Sequence, residues 1–143
     1  MPKLPLQGIR VLEFGVVWAG PYCAAFLAGM GAEVIKIESI KKFIPMTRGQ
    51  IPRPTGEDLR NLPTSVGATP DRLPGKRPWN RIPLFNAHAS NKLGMTVDLL
   101  QPKGKRALID LIAISDVIVE NNPTETMEKL GISYEEIRET KPG

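Results

Sequence analysis

The chain of 143 residues is long enough for one domain with a buried core, and its 41% hydrophobic and 24% charged residues are typical of a globular protein. No apolar stretch reaches transmembrane length, the N-terminus lacks the apolar segment of a signal peptide, and one cysteine cannot form an internal disulfide. These features argue against a membrane or disulfide-stabilised class, and we expect a cytoplasmic protein with no membrane partner.

The net charge of +4 comes from one segment of the chain. Residues 41–82 carry nine lysines and arginines against three acidic residues, whereas the rest of the chain is slightly acidic. Only Phe43 and Trp79 supply aromatic rings in this segment, so it lacks the basic and aromatic pattern typical of nucleic-acid binding. We expect a solvated basic surface or a site for a small anion, and no nucleic-acid partner.

The first 38 residues have the pattern of a strand, a loop, a helix and a parallel strand. We predict a strand over Ile9–Phe14, a helix over Tyr22–Met30 with Pro21 in its first turn, and a second strand over Ala32–Glu38. In such a unit, ligands bind at the carboxyl end of the first strand, where the loop enters the helix. The sequence therefore predicts a binding site near Gly15–Tyr22.

The character of the chain changes from Ser39 to about Pro83, where eight of the fourteen prolines fall. Patterns such as IPRPTG and LPGKRP cannot sustain a long helix or a central strand. Long irregular segments are uncommon in compact domains and are usually functional or mobile. We predict a Pro/Arg-rich insertion at about residues 40–83 that runs over the surface and contacts a partner chain.

Regular elements resume near Leu84. We predict a strand over Met95–Leu99, a helix from Pro102 through Ile114, a strand over Val117–Val119, a short helix from Pro123 to Gly131, and a last helix from Tyr134 to about Thr140 that begins with a capping box of Ser133 and Glu136. This alternation predicts an α/β fold, a Rossmann-like parallel sheet with helices on both faces.

Four stretches carry a resemblance, in order along the chain. They are LQGIRVLEFG, AGPYCAAFLAGMGAEVIKIE, NKLGMTVDLLQPKGKRALIDLI and SDVIVENNPTETMEKLGISYEEIRETKPG. They resemble the N-terminal part of the family III CoA-transferases, the group that contains formyl-CoA transferase, carnitine CoA-transferase and α-methylacyl-CoA racemase. The resemblance implies that residues 1–143 are the N-terminal CoA-binding part of the large domain of an interlocked CoA-transferase fold. It also implies coenzyme A or acyl-CoA as substrate and no covalently bound cofactor.

The resemblance implies a set of CoA-binding residues at matching positions. The set consists of Trp18, Ala19, Ser39, Val97, Asp98, Asn121, Asn122 and Lys129. Three of these positions depart from the family pattern. Ser39 stands where the family often has an arginine against the adenine, and Asn122 replaces the usual aromatic residue. Lys129 replaces an arginine near the CoA phosphates, which keeps the charge but loses the bidentate geometry.

The family's catalytic aspartate lies beyond the last residue of this sequence, so the resemblance implies no catalytic residue within it. In a complete member that aspartate attacks the acyl-CoA thioester, and CoA then passes through enzyme-bound intermediates to an acceptor carboxylic acid. We therefore expect the nucleophile on a continuation or a separate chain, and this chain alone to be inactive. The resemblance also implies a homodimer, or a complex with a chain that carries the rest of the fold.

Two alternatives remain open: a portion of an acyl-CoA racemase or epimerase, and a non-catalytic structural subunit of such a complex.

Single residues outside the CoA-binding set also carry expectations. We expect Glu13 to be a solvated strand-end carboxylate rather than a pocket contact. For Glu120, bracing of its loop and contact with a ligand are equally expected. We expect Cys23 to be a buried packing residue and His88 an ordinary loop histidine. No Cys/His cluster has metal-ligand spacing, so no metal site is expected.

Overall fold

The computed structural model of the protein describes residues 3–39, 41–45, 47–63, 69–123 and 125–142. Its elements, in chain order, are β1 (Arg10–Glu13), α1 (Ala19–Gly29), β2 (Glu33–Glu38), α2 (Gly56–Asn61), a 3-10 turn (Pro78–Asn80), α3 (Pro83–His88), β3 (Lys92–Thr96), α4 (Pro102–Ala113), β4 (Val117–Val119), α5 (Thr126–Lys129) and α6 (Tyr134–Thr140). Within the described ranges, every helix is too short or too polar to cross a lipid bilayer.

The chain divides into two compact units. The first, here called the sheet unit, consists of Met1–Lys41 and Asn91–Gly143, and the second unit is Lys42–Ser90. The four strands form one parallel sheet of the sheet unit, in the order β3-β2-β1-β4. The chain first extends the sheet from β1 through β2 to β3, and then returns to place β4 on the other side of β1. The carboxyl ends of β1 and β4 therefore form a topological switch point, where ligands of such folds bind.

Helices cover both faces of this sheet, which confirms the predicted fold class. Val11 of β1 packs with Ala24 of α1 in one apolar cluster. Its neighbour Leu12 packs with Leu108 of α4 in another. Successive residues of a strand point to opposite faces, so α1 and α4 lie on opposite sides of the sheet.

Helix α1 carries an exposed apolar stripe. Tyr22, Phe26 and Met30 follow one another at intervals of four residues along α1 and its C-terminal cap, and their exposed fractions are 55%, 58% and 40%. The rings of Tyr22 and Phe26 make an edge-to-face contact with centroids 5.0 Å apart. Cys23 is also exposed, so the expectation that it is a buried packing residue is wrong. The helix buries its small residues instead, because alanine and glycine allow it to approach the sheet closely.

Local sequence patterns predicted most elements at their observed positions, but one strand lies earlier in the chain than predicted. β4 covers the predicted Val117–Val119, and α6 begins with the predicted capping box, in which both reciprocal hydrogen bonds form. The strand predicted over Met95–Leu99 lies three residues earlier, at Lys92–Thr96. Lysine and glycine are uncommon within strands, so Lys92 and Gly94 carry no strand signal. In the structure the Lys92 side chain is buried by its ion pair with Glu13, as described below.

The second unit has short helices and its own internal hydrogen bonds. A capping box of Thr55 and Asp58 begins α2. The Arg72 guanidinium donates to the backbone oxygens of Leu59 and Leu62, which fastens the end of α2. His88 is buried in the last turn of α3 rather than lying in a loop, because α3 begins at a proline that the sequence analysis assigned to the irregular segment. That this segment is an insertion that contacts a partner stays a prediction.

Candidate functional site

The loop between β1 and α1, residues 14–18, lies at the switch point of the sheet. Gly15 in this loop and Gly20 in the first turn of α1 approach each other closely. A Cβ atom on Gly15 would lie 2.5 Å from Cδ of Pro21, and one on Gly20 would lie 2.7 Å from Oδ1 of Asn121. Both distances are well inside van der Waals contact, so the loop closes in this form because both positions lack a side chain.

Side chains from the end of β4 bind the backbone of this loop. Asn121 Oδ1 accepts a hydrogen bond from Val16 N–H at 3.3 Å, and Asn121 Nδ2 donates to the Val17 carbonyl oxygen at 2.7 Å. Asn122 Nδ2 lies 3.4 Å from the Phe14 carbonyl oxygen, to which it donates. Both polar groups of the Asn121 amide therefore act on the loop. That either asparagine contacts CoA stays a prediction.

Glu120 braces the turn that carries these asparagines. Its Oε2 accepts a hydrogen bond from the backbone N–H of Asn122 at 2.9 Å. Of the two roles left open for Glu120, this contact supplies the bracing one.

Glu13, the last residue of β1, is completely buried between two lysines. Its Oε1 lies 2.8 Å from Lys36 Nζ on β2, and its Oε2 lies 2.7 Å from Lys92 Nζ on β3. The exposed fractions of the three side chains are 0%, 5% and 2%. The expectation of a solvated carboxylate is wrong, because two ammonium groups compensate the cost of burying this charge. We call Glu13, Lys36 and Lys92 the Glu13 triad.

The two lysines of the triad also bind the backbone at the ends of the loop. Lys36 Nζ donates to the Gly15 carbonyl oxygen at 2.9 Å, and Lys92 Nζ donates to the Pro21 carbonyl oxygen at 2.6 Å. Burial lowers the pKa of Lys92, and the hydrogen bond and charge of Glu13 oppose that shift. The triad thus joins three strands to both ends of segment Gly15–Pro21.

Trp18 and Ala19 lie at the outer side of this segment. Trp18 is the N-cap of α1, with φ of 52° and an exposed fraction of 57%, and Ala19 is exposed at the first helical position. A positive φ is uncommon for a residue with a side chain. The Trp18 side chain does not form the capping hydrogen bond of α1. The positive end of the helix dipole lies beside Trp18.

Ser39, Val97 and Asp98 lie at the same edge of the sheet, after β2 and β3. Val97 is buried, and its N–H donates to the Glu38 carbonyl oxygen at 2.9 Å. Asp98 forms an ion pair of 2.7 Å with Lys41, and hydrogen bonding by that ammonium lowers the pKa of Asp98. Ser39 Oγ accepts a hydrogen bond from the Lys41 N–H. Lys41 thus supplies a cation two residues from Ser39, a position that the sequence analysis did not select.

The predicted residues fall into two groups and one outlier. Trp18, Ala19, Asn121 and Asn122 lie around the ends of β1 and β4, and Ser39, Val97 and Asp98 lie around the ends of β2 and β3. Lys129 lies on α5, with its exposed ammonium paired to Glu125 at 2.9 Å. Because parallel strands end at one edge, the first seven residues share the edge at which this fold binds ligands.

A groove of about 650 Å³ lies along the outer edge of β4, and Asn122 of the predicted set contributes to its lining. Its lining combines apolar residues such as Ile118, Ile132 and Ile137 with the carboxylates of Asp116, Glu120, Glu125 and Glu128 and the ammonium of Lys141. An excess of carboxylates disfavours a phosphorylated ligand. We therefore assign the candidate site for an anionic ligand to the β1–α1 loop rather than to this groove.

Comparison with known proteins decides the family. The sequence model described as CoA-transferase family III matches residues 6–143. The protein belongs to this family. The match confirms the resemblance drawn from the four sequence stretches.

Curated relatives of the protein are much longer than this chain. An acyl-CoA transferase of Fusarium pseudograminearum is 34% identical over 142 residues, covering 96% of this chain and 26% of the relative. The alpha subunit of succinyl-CoA–L-malate CoA-transferase of Chloroflexus aurantiacus is 34% identical, with coverage of 99% and 28%. A formyl-CoA:oxalate CoA-transferase of Rhodopseudomonas palustris is 34% identical, with coverage of 96% and 27%. The chain spans little more than a quarter of these relatives.

Solved structures show the same relationship. A CAIB/BAIF family protein from Brucella suis matches with a TM-score of 0.68 and 27% identity, over 97% of this chain and 31% of that protein. The protein Rv3272 from Mycobacterium tuberculosis matches with a TM-score of 0.66 and 28% identity, over 99% and 32%. The parallel sheet and its helices are therefore those of this family.

Proposed function

We propose that the protein supplies the CoA-binding portion of an enzyme that transfers CoA from an acyl-CoA thioester to a carboxylic acid. Family membership and the names of the relatives support the reaction class. One structural observation carries the site: the tightly closed loop at the switch point, which exposes Trp18 and Ala19 at the start of α1.

The proposed CoA site extends along the carboxyl edge of the sheet. Trp18 offers an exposed ring and Ala19 a small surface to the pantetheine arm. Ser39, Val97 and Asp98 lie at the nucleotide end, where Lys41 supplies a positive charge beside Ser39 in place of the arginine often found in the family. Lys129 on α5 is the proposed phosphate contact farther along the chain. When CoA binds, the Lys129 ammonium would leave Glu125 and pair with a CoA phosphate instead.

We propose that the attacking carboxylate comes from polypeptide outside the described residues. Glu13 is unsuited to the role, because it is fully buried and both of its oxygens are bound by lysines. In the reaction, the attacking carboxylate forms a mixed anhydride as the thioester C–S bond breaks and CoA leaves as thiolate. The thiolate then attacks the enzyme's carbonyl, which releases the acyl group as a carboxylate and leaves an enzyme-bound CoA thioester. The acceptor carboxylate reverses these steps and leaves as a new acyl-CoA.

The assembled enzyme also covers two surfaces of this chain, in this proposal. The stripe of Tyr22, Phe26 and Met30 on α1 is an open apolar surface of the kind that marks an interface. The groove beside β4 has a mixed lining of apolar and acidic residues. The groove runs along a strand edge, so polypeptide of the same enzyme fits it by adding a strand. The relative from Chloroflexus aurantiacus, named an alpha subunit, supports an assembly of more than one chain.

The test uses the complete native enzyme, purified through an affinity tag on this chain. Isothermal titration with CoA is expected to give saturable binding with a dissociation constant between about 1 µM and 1 mM. Trp18→Ala is expected to weaken binding about tenfold. Ile114→Ala is the control, because Ile114 is 61% exposed and its backbone oxygen binds Arg10 at the opposite end of β1. Absence of CoA binding by the wild-type enzyme contradicts the proposal.

A second assay separates transfer from the racemase alternative. The enzyme is mixed with succinyl-CoA and a set of carboxylic acids, and the products are identified by mass spectrometry. Transfer yields a new acyl-CoA and free succinate. A racemase or epimerase instead incorporates deuterium from heavy water beside the thioester carbonyl of a branched acyl-CoA without moving CoA. An enzyme that binds CoA and does neither supports a non-catalytic subunit.

A further inference from the structure

We propose that Glu13, Lys36 and Lys92 are positioning residues, which hold the β1–α1 loop in the form that binds CoA. None of the three reaches the outer side of the loop, since all three side chains are buried beneath it. They act through the backbone of the segment that carries Trp18 and Ala19. The inference rests on the proposed function, because it assigns a role in CoA binding.

The two lysines bind the backbone at opposite ends of the segment Gly15–Pro21. Lys36 comes from β2 and binds the carbonyl oxygen of Gly15, and Lys92 comes from β3 and binds that of Pro21. Glu13 joins the two ammonium groups through different oxygens. Each lysine lies on a strand whose backbone is fixed by hydrogen bonds to neighbouring strands of the sheet. The distance between the two carbonyl oxygens is therefore set by the sheet rather than by the loop.

The charge balance explains why the loop is held firmly. Two buried ammonium groups face one carboxylate, so the loop carbonyl dipoles must help to compensate the second positive charge. If the loop moved away, a buried lysine ammonium would lose a hydrogen-bond acceptor, which costs free energy. From the β4 side, Asn121 binds the N–H of Val16 and the oxygen of Val17. A loop ordered before the ligand arrives binds it with less loss of conformational entropy.

Apolar contacts beside the triad also hold α1 on the sheet. Helix α1 packs on the sheet through an apolar cluster that contains Val11, Ala24, Ala28 and Val34, beside the triad. Apolar side chains of similar volume often replace a buried ion pair with no loss of stability. If these residues served only to stabilise the fold, aliphatic side chains would suffice. Binding two loop carbonyl oxygens requires hydrogen-bond donors, which the lysines supply.

The experiment compares Lys36→Met and Lys92→Met with Val34→Ala in the native enzyme. Methionine keeps most of the length of lysine and removes its donors. Val34 is 1% exposed on β2, faces α1 and is two residues from Lys36, so its truncation is a matched core change without a polar contact to the loop. Fluorine NMR of enzyme labelled with 5-fluorotryptophan reports on Trp18, whose resonance is identified by its absence in Trp18→Phe. Isothermal titration gives the affinity for CoA.

Each lysine variant is expected to shift and broaden the Trp18 resonance without ligand and to weaken CoA binding about tenfold, the effect of one lost charge-assisted hydrogen bond. Val34→Ala is expected to lower the unfolding midpoint while leaving both readouts unchanged. Equal losses of affinity in all three variants at equal losses of stability would overturn the proposal. Should the wild-type enzyme fail to bind CoA, the proposed function falls, and the Trp18 resonance still decides whether the triad orders the loop.

If one lysine variant does not accumulate, the other carries the test, because Lys36 and Lys92 bind carbonyl oxygens at opposite ends of the same segment. Its expected effect on the Trp18 resonance has the same direction. An unchanged Trp18 resonance in that variant contradicts the proposal.

Discussion

Lys92 Nζ lies 2.7 Å from Oε2 of Glu13, a buried contact between residues that are 79 positions apart in the chain. β3 and β1 are separated by β2 in the sheet, so this contact reaches across the intervening strand. Lys36 on that intervening strand binds the other oxygen of the same carboxylate. The three strands are therefore joined by side chains as well as by backbone hydrogen bonds.

Glu13→Gln is expected to destabilise the protein strongly. Removal of the carboxylate leaves two buried ammonium groups without their counter-ion, a change that costs about 3–5 kcal/mol in comparable buried pairs. The free energy of unfolding from urea titration measures it. Glu33→Gln is the control, because Glu33 of β2 forms an ion pair with Arg10 of β1 but its side chain is 45% exposed. Exposed ion pairs contribute at most about 1 kcal/mol to stability. Similar losses in both variants would contradict the buried triad.

The alkaline pH dependence of stability provides a second test of the triad. Burial lowers the pKa of Lys92 below its ordinary value of 10.5, so the folded state loses this proton at a lower pH than the unfolded state. Between the folded pKa and 10.5 the unfolded state binds more protons, and this residue makes stability rise with pH. Below the folded pKa, its charge costs stability.

Comparison of wild type with Lys92→Met isolates this contribution. The difference in unfolding free energy, wild type minus variant, is expected to rise as the pH increases toward 10.5, the ordinary pKa of the lysine side chain. Titrating groups that do not interact with Lys92 are common to both proteins and cancel, whereas Glu13, Lys36 and Cys23 interact with it and contribute to the difference. A constant difference across this range would mean that burial does not perturb Lys92.

Sequence patterns located what is encoded locally. The capping box of α6 and the apolar run of β4 lie within a few residues, and each was placed correctly from local signals alone. The four sequence stretches identified the family, and with it the edge of the sheet at which the candidate residues lie. Polar groups whose partners are distant in sequence gave no such signal. Glu13 resembles any strand-end carboxylate until Lys36 and Lys92 are brought to it by the sheet.

Asn121→Asp is expected to weaken CoA binding more than Asn121→Ala. The aspartate keeps an acceptor for the Val16 N–H but replaces the donor to the Val17 oxygen with a second oxygen, so two acceptors meet. Repulsion at this point moves the loop, whereas alanine merely releases it. We expect about a tenfold further loss for aspartate, measured by isothermal titration of the native enzyme. Equal affinities of the two variants would mean that this hydrogen bond does not set the loop.

The last prediction concerns two glycines at opposite ends of α1. Gly20→Ala places a Cβ atom 2.7 Å from Asn121 Oδ1, which either displaces that side chain or moves the start of the helix. Gly29→Ala introduces the same methyl group where nothing lies within 4 Å. Since alanine favours a helix by up to about 1 kcal/mol over glycine, Gly29→Ala is expected to raise the unfolding midpoint slightly and to leave CoA affinity unchanged. Gly20→Ala is expected to lower both, and a Gly20→Ala enzyme with wild-type affinity for CoA would contradict the close packing of the loop against Asn121.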